Sequence, residues 1–210
     1  MSICLRVSPK LAQLVGEGVL HTMRDATARL LAPGGVLVPC GARVYVMAIE
    51  LCPPEGEFDF GCLEQLRRGV YYTAARLHTL GHTKLTAPAE VLHFDFYSPS
   101  PLGDDGKPRA RDVRLQLPVL RRGRCNAIVW WFDLQLDERT SVSAGPGTNL
   151  RTWKQNFSLH APVHFVPGDT IEVLVNLAND DQINVFGGKP GTVHKPDAYV
   201  GDTRLEPTFT

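Results

Sequence analysis

Ile128-Val129-Trp130-Trp131-Phe132-Asp133-Leu134-Gln135-Leu136 is the stretch whose reading decides the fold. Ile128, Trp130, Phe132, Leu134 and Leu136 occupy every second position, the period of a β-strand with one face on a core. Trp130 and Trp131 then point to opposite faces, and at least one of them is a packing residue. The same alternation recurs on both sides. Leu92, Phe94 and Phe96 share a face, as do Val113, Leu115, Leu117 and Val119, and then Ile171, Val173, Val175 and Leu177. Turn clusters punctuate these runs at Gly103–Gly106, Ala144–Gly147, Pro167–Asp169 and Asn179–Asp181. Short half-buried strands separated this way predict an antiparallel barrel or sandwich, so the chain reads as mostly β.

The first fifty residues follow another rhythm. Val19, Met23, Ala26 and Leu30 form one apolar helical stripe. Gly16 and Gly18 predict that the helix starts after Gly18, and Pro33-Gly34-Gly35 predicts its end. An apolar run from Val36 to Ile49 follows, broken by Pro39 and Gly41. Helix, turn and near-continuous apolar strand suggest the edge of a covered α/β sheet. Pro53-Pro54-Glu55-Gly56 reads as a linker. The mixed segment 57–88 predicts short helices around Cys62–Arg68 and Thr73–Leu80. The expected division is therefore 1–50 as an α/β remnant and 51–210 as the β domain.

Composition narrows the function. Lys+Arg and Asp+Glu are both 22, so no net positive field holds nucleic acid or an anionic membrane. Five cysteines without a C-x-x-C pair point to reduced thiols and a cytoplasmic or nuclear setting. The N-terminus lacks the pattern of a signal peptide, and no apolar run is long enough to span a bilayer. His78/His82 and His160/His164 are spaced by four, but Gly81 and Pro162 oppose helices there, so no metal site is expected. A G-x-S-x-G elbow is absent. Arg121-Arg122-Gly123-Arg124 reads as a solvated basic turn.

Three stretches together resemble the protein arginine methyltransferases. Leu14-Val15-Gly16-Glu17-Gly18, its helix and Gly35-Val36-Leu37-Val38-Pro39 are similar to the end of that family's two-glutamate loop, with Glu17 on the second glutamate. The G-E-G form looks most like the divergent monomethylating or symmetric-dimethylating members that carry two modules. Trp130–Asp137 resembles the family's W-F-D barrel strand. Trp153-Lys154-Gln155 resembles the end of its T-H-W-K-Q substrate loop, where Thr152 replaces the histidine and Arg151 the threonine. Ser8 stands where the first glutamate is expected.

The resemblance implies a catalytic role for Glu17 and a substrate-binding loop of Thr152, Trp153, Lys154 and Gln155. Paired carboxylates suit the reaction because a guanidinium offers its donors as a fork. Ser8 carries no charge, so the grip would be one-sided. A glutamate before a helix also favours the positive end of the helix dipole without any function. The resemblance further implies S-adenosylmethionine as cofactor of the complete enzyme and arginine-containing proteins as substrates. It implies a homo-oligomer through an arm at 57–88. The family's cofactor glycine turn needs a strand before it and a helix after it. Neither Gly16-Glu17-Gly18 nor Gly145-Pro146-Gly147 has that setting, so the chain is expected to lack the cofactor-binding half. The alternative reading is a non-catalytic regulatory or scaffolding homologue acting through barrel and arm.

Overall fold

The computed structural model describes residues 3–4, 14, 18–52, 71–98, 111–148, 150, 153–178 and 182–195. A two-residue parallel pair, β1 (Ile3–Cys4) and β2 (Leu37–Val38), flanks the helix α1 (Val19–Arg29). β3 (Gly41–Leu51) follows, then β4 (Tyr71–Ala75), a 3-10 turn at Leu77–Thr79, β5 (His82–Lys84) and β6 (Ala89–Asp95). β7 (Arg111–Pro118), β8 (Gly123–Gln135), β9 (Ser141–Ser143), β10 (Gln155–Phe165), β11 (Thr170–Ala178) and β12 (Gln182–Gly188) complete the order.

β4, β10, β8, β3 and β5 run side by side in one antiparallel sheet, with β6 also on β3 and β9 on β8. β12, β11 and β7 form a second sheet. The two enclose one core, in which Val44, Val46, Ile128, Trp130 and Phe132 meet Val173, Val175, Ile183 and Val185. β6 lies beside β7, and β12 beside β8 and β10, so the sheets close on each other as a flattened barrel. At Gly187 the approach leaves no room for a side chain, since a Cβ there would sit 2.5 Å from Ile128 Cγ1.

The central strands β3 and β8 are buried on both faces. Val44, Val46, Ala48, Ile128 and Trp130 face the barrel interior. Met47, Ile49, Val129 and Trp131 form a second cluster on the outer face with Leu77 and Phe157. That explains why both tryptophans are inaccessible and why β3 reads as a nearly unbroken apolar run.

The four runs of alternation fall on β6, β7, β8 and β11. Three expectations are corrected. The Val36–Ile49 run is not one α/β strand. It splits at the cis Val38–Pro39 peptide, and Gly41–Leu51 pairs antiparallel with β8, β6 and β5. The division at residue 50 thus falls inside a barrel strand. The helix expected over Thr73–Leu80 is strand to Ala75 and then a 3-10 turn. Tyr71, Tyr72 and Thr73 favour a pleated edge, and β10 supplies the hydrogen bonds. The helix expected at Cys62–Arg68 lies outside the described residues. Finally, α1 begins and ends where glycine and proline place it, with Gly18 left-handed at φ 69°. Its apolar stripe is largely covered. Val19, Met23 and Ala26 are buried, Val19 and Met23 within the barrel's own core, and Leu30 alone of the stripe is exposed.

Candidate functional site

Trp153 and Gln155 sit at the start of β10, where the chain returns from the turn at 144–148. The Trp153 ring meets Phe132 edge-on, with centroids 5.2 Å apart and planes at 66°. It packs on the same core as Val19, Leu20 and Met23 of α1. Its indole Nε1 is buried and finds no acceptor among the described residues. Lys154 is exposed.

Gln155 is buried and fully engaged. Its Oε1 accepts from Leu77 N at 2.8 Å, and its Nε2 donates to Ala144 O at 2.7 Å and Gly145 O at 3.3 Å. One side chain therefore ties β10, the 144–148 turn and the 3-10 turn together. Ala144 N donates to Phe132 O at 2.9 Å, which fixes the turn to β8 as well. On the outer face Asp133 Oδ1 accepts from Ser143 Oγ at 2.5 Å, and Ser143 Oγ accepts from Gly145 N at 3.0 Å. Burial raises the Asp133 carboxyl above its ordinary range, against the opposing pull of Ser143 and Arg43. A Cβ on Gly145 would lie 2.8 Å from Trp131 Nε1, so glycine is required there. Trp131 stacks on Tyr45, with centroids 5.9 Å apart.

The result is a loop anchored at both ends. Thr152 lies outside the described residues, as do Glu17 and Ser8. The helix that follows Glu17 is described, and its Thr27 Oγ1 bonds both Met23 O (2.7 Å) and Phe96 O (3.2 Å), holding α1 to the end of β6. The structure thus brings α1 and Trp153 onto one core, while Gln155 turns its amide into the fold.

Neither glycine turn offers a described seat for a sulfonium nucleoside. Gly145 spends its N–H on Ser143 and is closed off by Trp131. Gly18 is described, but Gly16 and Glu17 are not. Among the described residues no three His, Cys, Asp or Glu side chains converge on a metal-sized site, and no helix is long and apolar enough to cross a membrane. Of the spaced histidines, His82 Nδ1 bonds Leu80 O at 2.8 Å and His160 Nδ1 bonds Ala161 O at 2.9 Å. Burial lowers the His160 pKa and pushes the neighbouring Cys125 thiol up to about 12. The two are 3.7 Å apart, sealed and unreactive as a pair.

The family model of the arginine methyltransferase oligomerization subdomain matches residues 56–185. The chain belongs to the protein arginine methyltransferases. It corresponds to their C-terminal portion. The arginine N(omega)-methyltransferase of Streptomyces achromogenes subsp. streptozoticus is 27% identical over 167 residues, covering 75% of this chain and 44% of that protein. Protein arginine N-methyltransferase 7 of Danio rerio is 29% identical over 141 residues, or 58% of this chain and 19% of its own length. Protein arginine N-methyltransferase 9 of Xenopus laevis is 26% identical over 206 residues, or 79% and 24%. The methyltransferase chain described here spans less than half the length of each of these curated relatives. Among solved structures, the Trypanosoma brucei PRMT1 enzyme-prozyme heterotetrameric complex with AdoHcy shares the fold. It has a TM-score of 0.60 at 15% identity, over 90% of this chain and 64% of that one.

The sequence motif singled out Trp153 and Gln155, which the structure places at the start of β10. It missed the Asp133–Ser143–Gly145 bracket because those residues meet only through strand pairing and a turn. The one available signal was a glycine directly after a small residue at the end of a strand.

Proposed function

We propose that this chain supplies the barrel wall and substrate loop of an enzyme that methylates arginine in protein substrates. The observation that carries the reading is the clamp at Gln155, which holds the loop containing Trp153 against the core shared with α1. S-adenosylmethionine would supply the methyl group as a sulfonium. The described residues do not themselves form a seat for it.

The division of labour is as follows. Trp153 gives the loop a rigid aromatic wall, because Phe132 and the core shared with α1 restrict it. A planar guanidinium suits such a wall, since it stacks on aromatic faces and presents donors at its edge. Glu17 would accept those donors and orient the attacking nitrogen. With Ser8 in the other position, the second carboxylate of the grip is missing. Turnover by this chain's own residues is therefore expected to be weak. Gln155 acts as a positioning residue, because its amide touches only the fold.

Oligomerisation through 57–88 belongs to the same proposal. The matched family model is an oligomerization subdomain and covers the whole of that span.

Calorimetry tests the reading with three titrants. An arginine-containing peptide should bind the 210-residue chain with saturable heat, and Trp153→Ala should weaken it about tenfold. A lysine-substituted peptide should bind markedly less well. Equal affinity for the two peptides, or an unaffected Trp153→Ala variant, would overturn the substrate-loop assignment. Titration with S-adenosylmethionine should give no saturable heat. One-to-one binding would place a cofactor seat in residues assigned here to the barrel.

A further inference from the structure

A second concave site draws one wall from residues 82–88, the end of the 57–88 segment, and the substrate loop contributes no residue to its lining. His82 to Lys84 and the bend at Thr86–Pro88 form one wall, and the β7–β8 hairpin at Leu120–Arg121 forms the other. The cleft between them has a volume of about 410 Å³. Its walls are braced. Leu120 N donates to Leu85 O at 2.7 Å, and Gly123 approaches Leu85 so closely that a Cβ would lie 2.6 Å from Leu85 Cδ2. The hairpin is therefore pinned to the β5 side, and the cleft is preformed.

The lining is one-signed. Among the described residues Lys84 and Arg121 are exposed and have no carboxylate partner, and no acidic side chain lines the cleft. Arg29, Arg43, Arg114, Arg124 and Lys195 each hold a carboxylate, so those five cations are neutralised in place. Glu50, the acidic group beside the hairpin, is committed to Arg124, with Oε1 3.0 Å from Nε and Oε2 3.0 Å from the backbone N. Thr86 is buried, and its Oγ1 accepts from Ala48 N at 3.1 Å. Its own hydroxyl proton is left to donate. Two unneutralised cations and a fixed hydroxyl form an oxyanion receptor.

The remaining lining selects among anions. Leu120 is 60% exposed at the rim, opposite Pro88, which offers an apolar contact beside the cations. Among the described residues no Phe, Tyr or Trp lines the cleft, and its one ring, His82, is tied by Nδ1 to Leu80 O at 2.8 Å. We infer that this cleft binds an acidic peptide segment of a partner protein, with a carboxylate on Lys84 and Arg121 and a neighbouring apolar side chain on Leu120.

The test is fluorescence anisotropy of a labelled short peptide of alternating Glu and Leu, with the 210-residue chain in low salt, where exposed charges are least screened. Saturable binding is expected. A Gln–Leu peptide of the same length should bind roughly tenfold more weakly, and so should Lys84→Gln/Arg121→Gln for the Glu–Leu peptide. Lys84→Arg should retain binding, which separates loss of charge from loss of fold. Leu120→Ser should weaken the peptide several-fold without changing competition by inorganic phosphate. No saturable binding, or equal binding by the double variant, would overturn the proposal. Tighter binding of a single-stranded oligonucleotide at the same residues would reassign the cleft to nucleic acid. Complete displacement by millimolar phosphate with a neutral Leu120→Ser would reduce it to a bare anion site.

Discussion

At the scale of single residues, Gln155 is the most consequential polar side chain described. It satisfies a buried backbone N–H and two backbone carbonyls at once. Gln155→Ala strands the Leu77 amide and frees the 144–148 turn, so a loss of about 2 kcal/mol is expected in urea unfolding. Gln155→Glu should fare no better, because a carboxylate cannot donate to Ala144 O or Gly145 O. If both variants unfold at the wild-type midpoint, the clamp has no energetic role. Trp153 differs in kind. Its ring is held by Phe132 but its N–H is unspent among the described residues, the state of a side chain positioned by packing and still able to bond a ligand.

At the scale of elements, two contacts set how the sheets and their covering segment sit. The first is the close pass of β12 over β8. Gly187→Ala forces a methyl against Ile128, an overpacking that costs about 1–3 kcal/mol. Ile128→Val removes one of the clashing carbons and should recover part of that loss. A double-mutant cycle on thermal unfolding reads the coupling, and strict additivity would mean that the sheets adjust freely. The second contact is the segment after β12, which folds back over β11. Glu172 accepts from Gly191 N at 2.6 Å and from Arg114, while Arg114 also donates to Val193 O at 3.0 Å. Lys195 pairs with Asp112 at 2.7 Å. The Gly191 N–H, and then Arg114, hold the Glu172 carboxyl below its ordinary range. A depressed folded-state pKa stabilises above the unfolded value, about 4.3 for Glu, and that contribution disappears as pH falls through the folded value. The unfolding midpoint should therefore drop on acidification below about pH 4.3, and less steeply in Glu172→Gln. An identical pH profile for the variant would show that the carboxylate does not hold the segment.

At the scale of the whole molecule, four of the six exposed large apolar side chains among the described residues lie around one feature. Leu30, Val36, Val38 and Tyr97 are all substantially exposed, and Tyr97 OH accepts from Leu37 N at 2.9 Å. They surround the short β1–β2 pair and the end of α1. Such an apolar patch favours association, and the matched family model is an oligomerization subdomain. Sizing with light scattering should give a species larger than a monomer at micromolar concentration. A clean monomer across the concentration range would count against both the patch and an arm at 57–88.

Local pattern determined a great deal here. The alternation of Ile128, Trp130, Phe132 and Leu134 specified a strand whatever its neighbours, because side chains in a pleated strand alternate faces. Gly18 and Pro33 bounded α1 for equally local reasons, one a left-handed backbone and the other a missing N–H. Trp153-Lys154-Gln155 was legible as a motif, but its geometry was not. The direction of the Gln155 amide depends on Leu77, far away in sequence, and on a turn eleven residues back. Pairing partners were likewise beyond local reach. A run buried on both faces looks the same in a parallel sheet and in the middle of an antiparallel one, so Gly41–Leu51 read as α/β until β8 and β6 were seen beside it. The cleft at Lys84 and Arg121 exists only because a strand and a hairpin distant in the chain are pinned together by a single backbone hydrogen bond. Residue type and spacing thus settled the elements, while long-range contacts settled which faces are covered and which groups remain free to bind.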